Sequence, residues 1–216
     1  GVYPSVKKPD SYQAKYEVRT KVLYENTDKA MDIIKDILGT TDITDEKRLY
    51  EILAQAKSRL QMSLSSAGHS VSAIRAMSYF SKTAYYNDMT GGIALYRVIA
   101  DYEEHFEEKK GMLIERLDAL RKKIFCKERL MVSLTADREG YDAVKEIGGL
   151  KEILGSGAPQ AAVPVLNCVK KNEGFLDASQ VQYVSRAGNF VKRGFSYTGA
   201  LRILKVILSY DYLWLN

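Results

Sequence analysis

Proline is scarce. Its four positions are Pro4, Pro9, Pro159 and Pro164, so nothing between residues 10 and 158 forbids continuous helix. Cysteine occurs twice, at Cys126 and Cys168, with no Cys-x-x-Cys pair and no metal spacing. That excludes a disulfide scaffold, and buried free thiols are expected. No apolar run approaches the ~18 residues that a membrane helix needs. The opening "GVYPSVKKPDSYQ" has no apolar core of the signal-peptide kind. Internal repeats and low-complexity tracts are missing too.

What is present is an ordinary globular balance. With 46% hydrophobic and 27% charged residues in a 216-residue chain, there is enough apolar material for one domain or one and a half. The net charge of +5 is basic, yet in "DYEEHFEEKKGMLIERLDALRKK" the two signs are interleaved. Such mixing marks a solvated helix face with i,i+4 pairs, so neither nucleic acid nor membrane is expected as a partner.

The segment "GSGAPQAAVPVLN" is small, rich in glycine and proline and almost uncharged. It reads as a linker at 155–169, dividing the chain into blocks 1–154 and 170–216. In "YEVRTKVLY", Tyr16, Val18, Thr20, Val22 and Tyr24 alternate with Glu17, Arg19 and Lys21, the period of a half-buried strand. Thr27 is placed to cap a helix carrying Ala30, Ile33, Ile34 and Ile37, with Gly39 as its stop. A second helix starts near Thr44 or Asp45; its stripe is Leu49, Ile52, Leu53, Ala56, Leu60 and Leu64, and Gly68 breaks or bends it. "SVSAIRAMSYFS" is a third helix. From "MTGGIALY" a long helical region is expected to run to Lys123, with an interruption at Gly111.

A second strand is expected at "RLMVSLTAD" and a last helix of the block at "EGYDAVKEIGGLKEIL". The order favours an α+β fold, an antiparallel sheet with helices packed on one face. The second block offers a strand, "QVQYVSRAGNF", then "TGALRILKVILSYDYLWLN", a helix apolar nearly all round. A helix of that kind is normally buried in a larger domain, and one strand with one helix is too little for an independent core. The expectation is a second domain cut off part-way, whose apolar helix leaves room for a homo-oligomer.

Three stretches invite chemistry. In "HFEEK", His105 and Glu108 keep the spacing of an inverted zinc motif, His-x-x-Glu-His, but Lys109 stands where the second histidine belongs. An ammonium does not ligate zinc, so an exposed acidic-basic helix face is the better reading. "SSAGHSV" (Ser65 to Val71) brings His69 near serines without an orienting third group, and a turn in which Ser66 or Ser70 caps the next helix explains it. "SYFSKTAYYND" sets Tyr79, Phe80, Tyr85 and Tyr86 near Arg75 and Lys82, a pattern commoner in cores and interfaces than on nucleic-acid surfaces. No catalytic and no metal-binding residue is assigned.

An ordered series of segments nevertheless resembles one family. The series is "KYEVRTKVLYENTDKAMDIIKDIL", "DEKRLYEILAQAKSRLQMSLSSAGHSVSAIRAMSYFS", "GGIALYRVIADYEEHF", "LRKKIFCKERLMVSLTAD" and "VQYVSRAGNFVKRGFSYTGALRILKVILSYDYLWLN". Together they look like the C-terminal half of an insulinase-like (pitrilysin-clan) zinc metallopeptidase of the presequence-protease branch.

The resemblance implies a parent of four related α+β domains in two bowl-like halves, joined by a helical hairpin and closing around unfolded peptides. Residues 12–154 would be most of its third domain, and 170–216 the opening of its fourth. It places the zinc motif in the first domain and the substrate-binding arginine and tyrosine past Asn216, so no family site residue falls on a position here. The implied partners are the catalytic half of the same polypeptide and its peptide substrates. The implied cofactor is zinc held by the parent, none by this chain. The implied compartment is the cytoplasm in bacteria or an organelle matrix in eukaryotes. A non-catalytic part of a peptidase chamber wall is the function expected; a helical interaction module without catalysis is the alternative.

Overall fold

In the computed structural model, residues 1–5, 11–144, 149–157, 166–176 and 180–212 are described, positions 211 and 212 by their backbone alone. The chain is mostly helical, with one small antiparallel sheet. Strands β1 (Val2–Pro4) and β2 (Tyr12–Ala14) pair in the register Val2 to Ala14, Tyr3 to Gln13 and Pro4 to Tyr12.

The strands expected at 16–24, 129–137 and 180–190 form no ladder among the described residues. A strand is defined by its hydrogen-bonded neighbour, and alternation alone does not supply one. The first run lies against a helix, with Arg19 beside its apolar residues. Val18, Thr20 and Val22 line a groove of about 290 Å³ whose far wall is Ala30, Ile33, Ile34 and Ile37, in and just past α1 (Thr27–Lys35). The same apolar side chains that suggested a sheet face a helix instead.

Helix boundaries follow local chemistry. Thr27 is not a cap: it is the first residue of α1 and buried, while Asn26 holds the cap position without a side-chain bond. Past Lys35 the chain widens into a π turn, Asp36–Thr40, and the Thr40 and Thr41 hydroxyls donate to the carbonyls of Asp36 and Ile37. Helix α2 (Glu46–Ser66) begins where expected, with the Asp45 carboxylate accepting from the Arg48 N–H at 2.9 Å. The break falls at Ala67, whose backbone is non-helical, one residue ahead of the Gly68 that the sequence suggested; α3 (Gly68–Ser78) starts at that glycine.

The long helix expected from Met89 onward is three. α4 (Lys82–Gly91) is capped by Ser81, α5 (Ile93–Glu104) restarts after Gly92, and α6 (Phe106–Ile124) restarts after His105. Gly111, the expected interruption, lies inside α6. A lone glycine lowers helix propensity by about 1 kcal/mol relative to alanine, too little to break a helix that packing holds. The last turn of α6 carries Arg121, Lys122 and Lys123, matching the negative end of the helix.

The helix expected from Glu139 to Leu154 appears as α7 (Arg138–Val144) and α8 (Leu150–Ile153), with Gly149 left-handed at φ 72° before α8. Residues 145–148 lie outside the described set, as do 158–165 of the linker. A pair of hydrogen bonds, Lys127 N–H to the Gly155 carbonyl and Gly155 N–H to the Phe125 carbonyl, ties the segment after α8 to the end of α6.

The core is small. Helix α5 packs on α2 and α4, and α3 packs on α4. Among the described residues the buried apolar ones are Ala30, Leu53, Ala84, Ile93, Phe106, Cys126 and Leu150, and Thr27, Ser78 and Asp88 are buried beside them. Phe106 meets Tyr50 edge-on at 5.2 Å and pins the start of α6 to α2. Tyr12 of the hairpin lies 5.5 Å from Tyr86 of α4. Neither cysteine is in a disulfide; Cys126 is buried with its thiol toward the Lys122 and Lys123 carbonyls, and Cys168 is half-buried.

In the second block, α9 (Ala200–Ile207) follows an irregular run. Its Ile203, Leu204, Val206 and Ile207 are all exposed, not buried as an apolar helix usually is. Residues 213–216 of the expected helix lie outside the described set.

Candidate functional site

His105 sits in the break between α5 and α6, not on a continuous helix. Its Nδ1 is 3.1 Å from the Asp101 carbonyl and 3.3 Å from the Asp101 carboxylate. Lys109 donates to both oxygens of that carboxylate at 2.6 Å and holds Asp101 below the usual carboxylate range. The "HFEEK" residues thus form an exposed junction closed by an aspartate-lysine pair.

Beside it lies an open cleft of about 740 Å³ lined by Glu46, Lys47, Tyr50, Glu51, Glu103, Glu104, His105, Phe106, Glu107 and Glu108. Most of these carboxylates are answered. Lys57 reaches Glu103 at 2.7 Å, Lys110 reaches Glu46 at 2.6 Å and Glu107 at 2.9 Å, and Arg48 reaches Glu51 at 3.0 Å. Among the described residues no group of three histidine, cysteine or acidic side chains is arranged to hold a metal ion. The charged side chains around His105 are largely taken up in these ion pairs. They form a salt-bridged seam between α2 and the α5–α6 junction.

The "SSAGHSV" stretch is the α2–α3 bend. Neither Ser66 nor Ser70 caps α3: Ala67 holds that position with no side-chain bond, and the Ser66 hydroxyl turns back to the Ser63 carbonyl. The His69 ring lies 6.0 Å from the Tyr183 ring, and the Ser72 and Ser185 hydroxyls are 2.7 Å apart. The stretch is a docking point for residues 183–185.

The strongest polar constellation centres on Arg75 of α3. Its Nη1 donates to Asp88 of α4 at 2.6 Å, and its Nε and Nη2 donate to the two oxygens of Glu173 at 2.7 and 3.0 Å. The Tyr79 hydroxyl donates to Glu173 at 2.6 Å. The guanidinium lies 5.8 Å from the centres of both the Tyr79 and Phe175 rings, and Arg97 of α5 lies 5.4 Å from Phe175.

The electrostatics follow from the geometry. Arg75's bidentate grip, helped by Tyr79 and opposed by partial burial, brings Glu173 down to about 2. Burial, and then the Glu173 carboxylate, push the Tyr79 hydroxyl up. Arg75 is held more firmly protonated, chiefly by Glu173 and then by Asp88 against the cost of burial.

Sequence reading noticed Arg75 and Tyr79 only as a cation among aromatics. It missed Glu173, which is 98 positions from Arg75 and marked by no local pattern. The node is a joint that links α3, α4 and residues 173–175.

Comparison with known proteins supplies what the geometry does not. Residues 1–101 match the family model for the peptidase-associated region of family M16, subfamily C. Across 98% of its length the chain is 29% identical to Protein HypA of Clostridium perfringens. Across 99% it is 23% identical to Presequence protease 1, chloroplastic/mitochondrial, of Arabidopsis thaliana. A mitochondrial presequence protease of Eremothecium gossypii is 26% identical over 72% of the chain. The chain spans 22% of the HypA sequence and 20% of the Arabidopsis one.

Proposed function

We infer that this chain, a segment from the C-terminal-half region of the insulinase-like M16 family, is a non-catalytic part of a peptidase that degrades peptides in an enclosed chamber. The observation that carries this reading is the near end-to-end similarity to HypA and to Presequence protease 1, over 98% and 99% of the chain. Its share of the work is to form part of the chamber wall. Helices α2 to α6 suit that role because enclosure needs a stiff surface, not a reactive side chain, and their packing is fixed by ion pairs and by the Tyr50–Phe106 contact.

Zinc, in this proposal, is held by the remainder of the longer protein. There it supplies activated water for peptide hydrolysis. The residues of this chain confine and orient an unfolded peptide and keep bulk water and folded proteins out. The partners are accordingly the catalytic half of the same polypeptide and its peptide substrates.

The test has two parts. The chain by itself should carry no stoichiometric zinc and cleave no fluorogenic peptide, whereas the longer protein should cleave one in a chelator-sensitive way. A photo-crosslinking peptide trapped by the longer protein should then attach to residues within α2 to α6. Chelator-sensitive cleavage by the chain alone, or crosslinks that avoid it entirely, would overturn the reading.

The exposed apolar residues Ile203, Leu204, Val206 and Ile207 favour a second reading, an interaction module without catalysis. Light scattering separates the two. Self-association abolished by polar substitutions at Ile203 and Ile207, with no effect on the longer protein's peptidase activity, would favour the module.

A further inference from the structure

We propose that Arg75, Asp88 and Glu173 form a latch with a fixed half and a detachable half. Arg75 and Asp88 stay joined as part of the helical body, while Glu173 is the part that lets go and frees residues 171–176. This conformational device goes beyond the chamber-wall reading and does not depend on it.

The argument starts with how the guanidinium is divided. Nη1 serves Asp88, while Nε and Nη2 serve Glu173, so the two carboxylates do not compete for a donor. Departure of Glu173 leaves Arg75 still paired with Asp88. Departure of Asp88 would be different in kind. The Asp88 side chain is 3% exposed and that of Arg75 13%, against 20% for Glu173. Stripping a partner from a deeply buried charge is far costlier than returning a carboxylate to nearby water.

The surroundings make the same division. Asp88 belongs to α4, whose N-cap at Ser81 and packing on α3 and α5 hold it in place. Glu173 lies in a run without helix or strand, residues 166–176, which is largely open to solvent while the carboxylate is tucked inward. Leu166 and Cys168 are half-buried farther back in the run, whereas residues 171–176 are exposed and, besides Glu173, set Phe175 against Arg75 and Arg97. One carboxylate and one ring form a small local unit, and units with few buried contacts open well below the free energy of global unfolding.

A second set of contacts along α3 gives a control. Tyr183 rests against Gly68 and His69, Ser185 bonds to Ser72, and Lys192 donates to the Phe80 carbonyl at 3.2 Å. None of these uses Arg75, so they stay closed when Glu173 is released.

Limited trypsin cleavage of the intact protein tests this, because Lys170 and Lys171 lie just ahead of Glu173. In Glu173→Gln the arm keeps its shape but loses the charge-assisted pair. Cleavage after Lys170 and Lys171 is expected to quicken by about tenfold or more, with the unfolding temperature of the helical body lowered far less than in Asp88→Asn. Asp88→Asn is expected instead to lower the unfolding temperature. Cleavage after Lys170 and Lys171 as fast in the unsubstituted protein as in Glu173→Gln would overturn the latch. So would a Glu173→Gln unfolding temperature lowered as far as that of Asp88→Asn. Phe175→Leu, which loosens the arm without touching a charge, should speed the same two cleavages and leave cleavage after Arg186 unchanged.

Discussion

The ring of Tyr183 occupies the space that a β-carbon on Gly68 would need. Two effects of opposite sign therefore meet in Gly68→Ala. Alanine should favour helix by about 0.5–1 kcal/mol over glycine. Forcing a methyl into a filled site costs about 1–3 kcal/mol unless the ring moves. The steric effect is expected to win, shown by a lower unfolding temperature or by loss of the His69–Tyr183 ring contact in NMR. A more stable protein with the Tyr183 ring unmoved would mean that the two are not in contact in solution.

Phe106 is buried and meets Tyr50 edge-on, linking α6 to α2. Phe106→Ala should cost about 3–5 kcal/mol, the range for large-to-small core changes, read from denaturant midpoints. Phe106→Leu should recover a good part of that.

Asp45 caps α2 through the Arg48 N–H. Asp45→Ala should cost about 1 kcal/mol and Asp45→Asn much less, because the amide oxygen can still accept that bond. By contrast, Asp101→Asn, at an exposed ion pair with Lys109, should change stability by less than about 1 kcal/mol. Denaturant midpoints of the three variants check both statements.

Glu173 gives a pH prediction. Its folded value is about 2, below the ordinary 4.5, so the folded state binds its proton less readily than the unfolded state. The stabilising contribution is complete above the unfolded value and disappears as pH falls through the folded one. Mild acid down to the ordinary value of 4.5 should therefore leave the Arg75–Glu173 contact closed. Following the Glu173 carboxyl carbon by NMR should give a midpoint near 2. A midpoint near 4.5 would show that the pair does not form in solution.

Helices were legible in the sequence wherever a stripe and a terminator occurred together. The helix carrying the stripe from Leu49 to Leu64 is present, and it ends at Ala67, next to the expected Gly68. Breaks made by tertiary context were not legible. The α5–α6 junction falls at His105, where no glycine or proline marks it, while Gly111 is carried through α6. The strands failed for a related reason. Val18, Thr20 and Val22 show that one face is apolar, but alternation does not say whether a strand or a helix covers that face. Arg75 was visible as a residue, and its role was not. Two carboxylates 13 and 98 positions away define that role.

Among the described residues the interior is a short roster, the apolar Ala30, Leu53, Ala84, Ile93, Phe106, Cys126 and Leu150 with the polar Thr27, Ser78 and Asp88, and it has an evolutionary corollary. Substitutions on a protein surface usually change stability by less than about 0.5 kcal/mol, and those in the interior cost several times more. Selection for folding of this segment alone then polices few of the described positions. Alignment with a plant relative at 23% identity still runs nearly end to end.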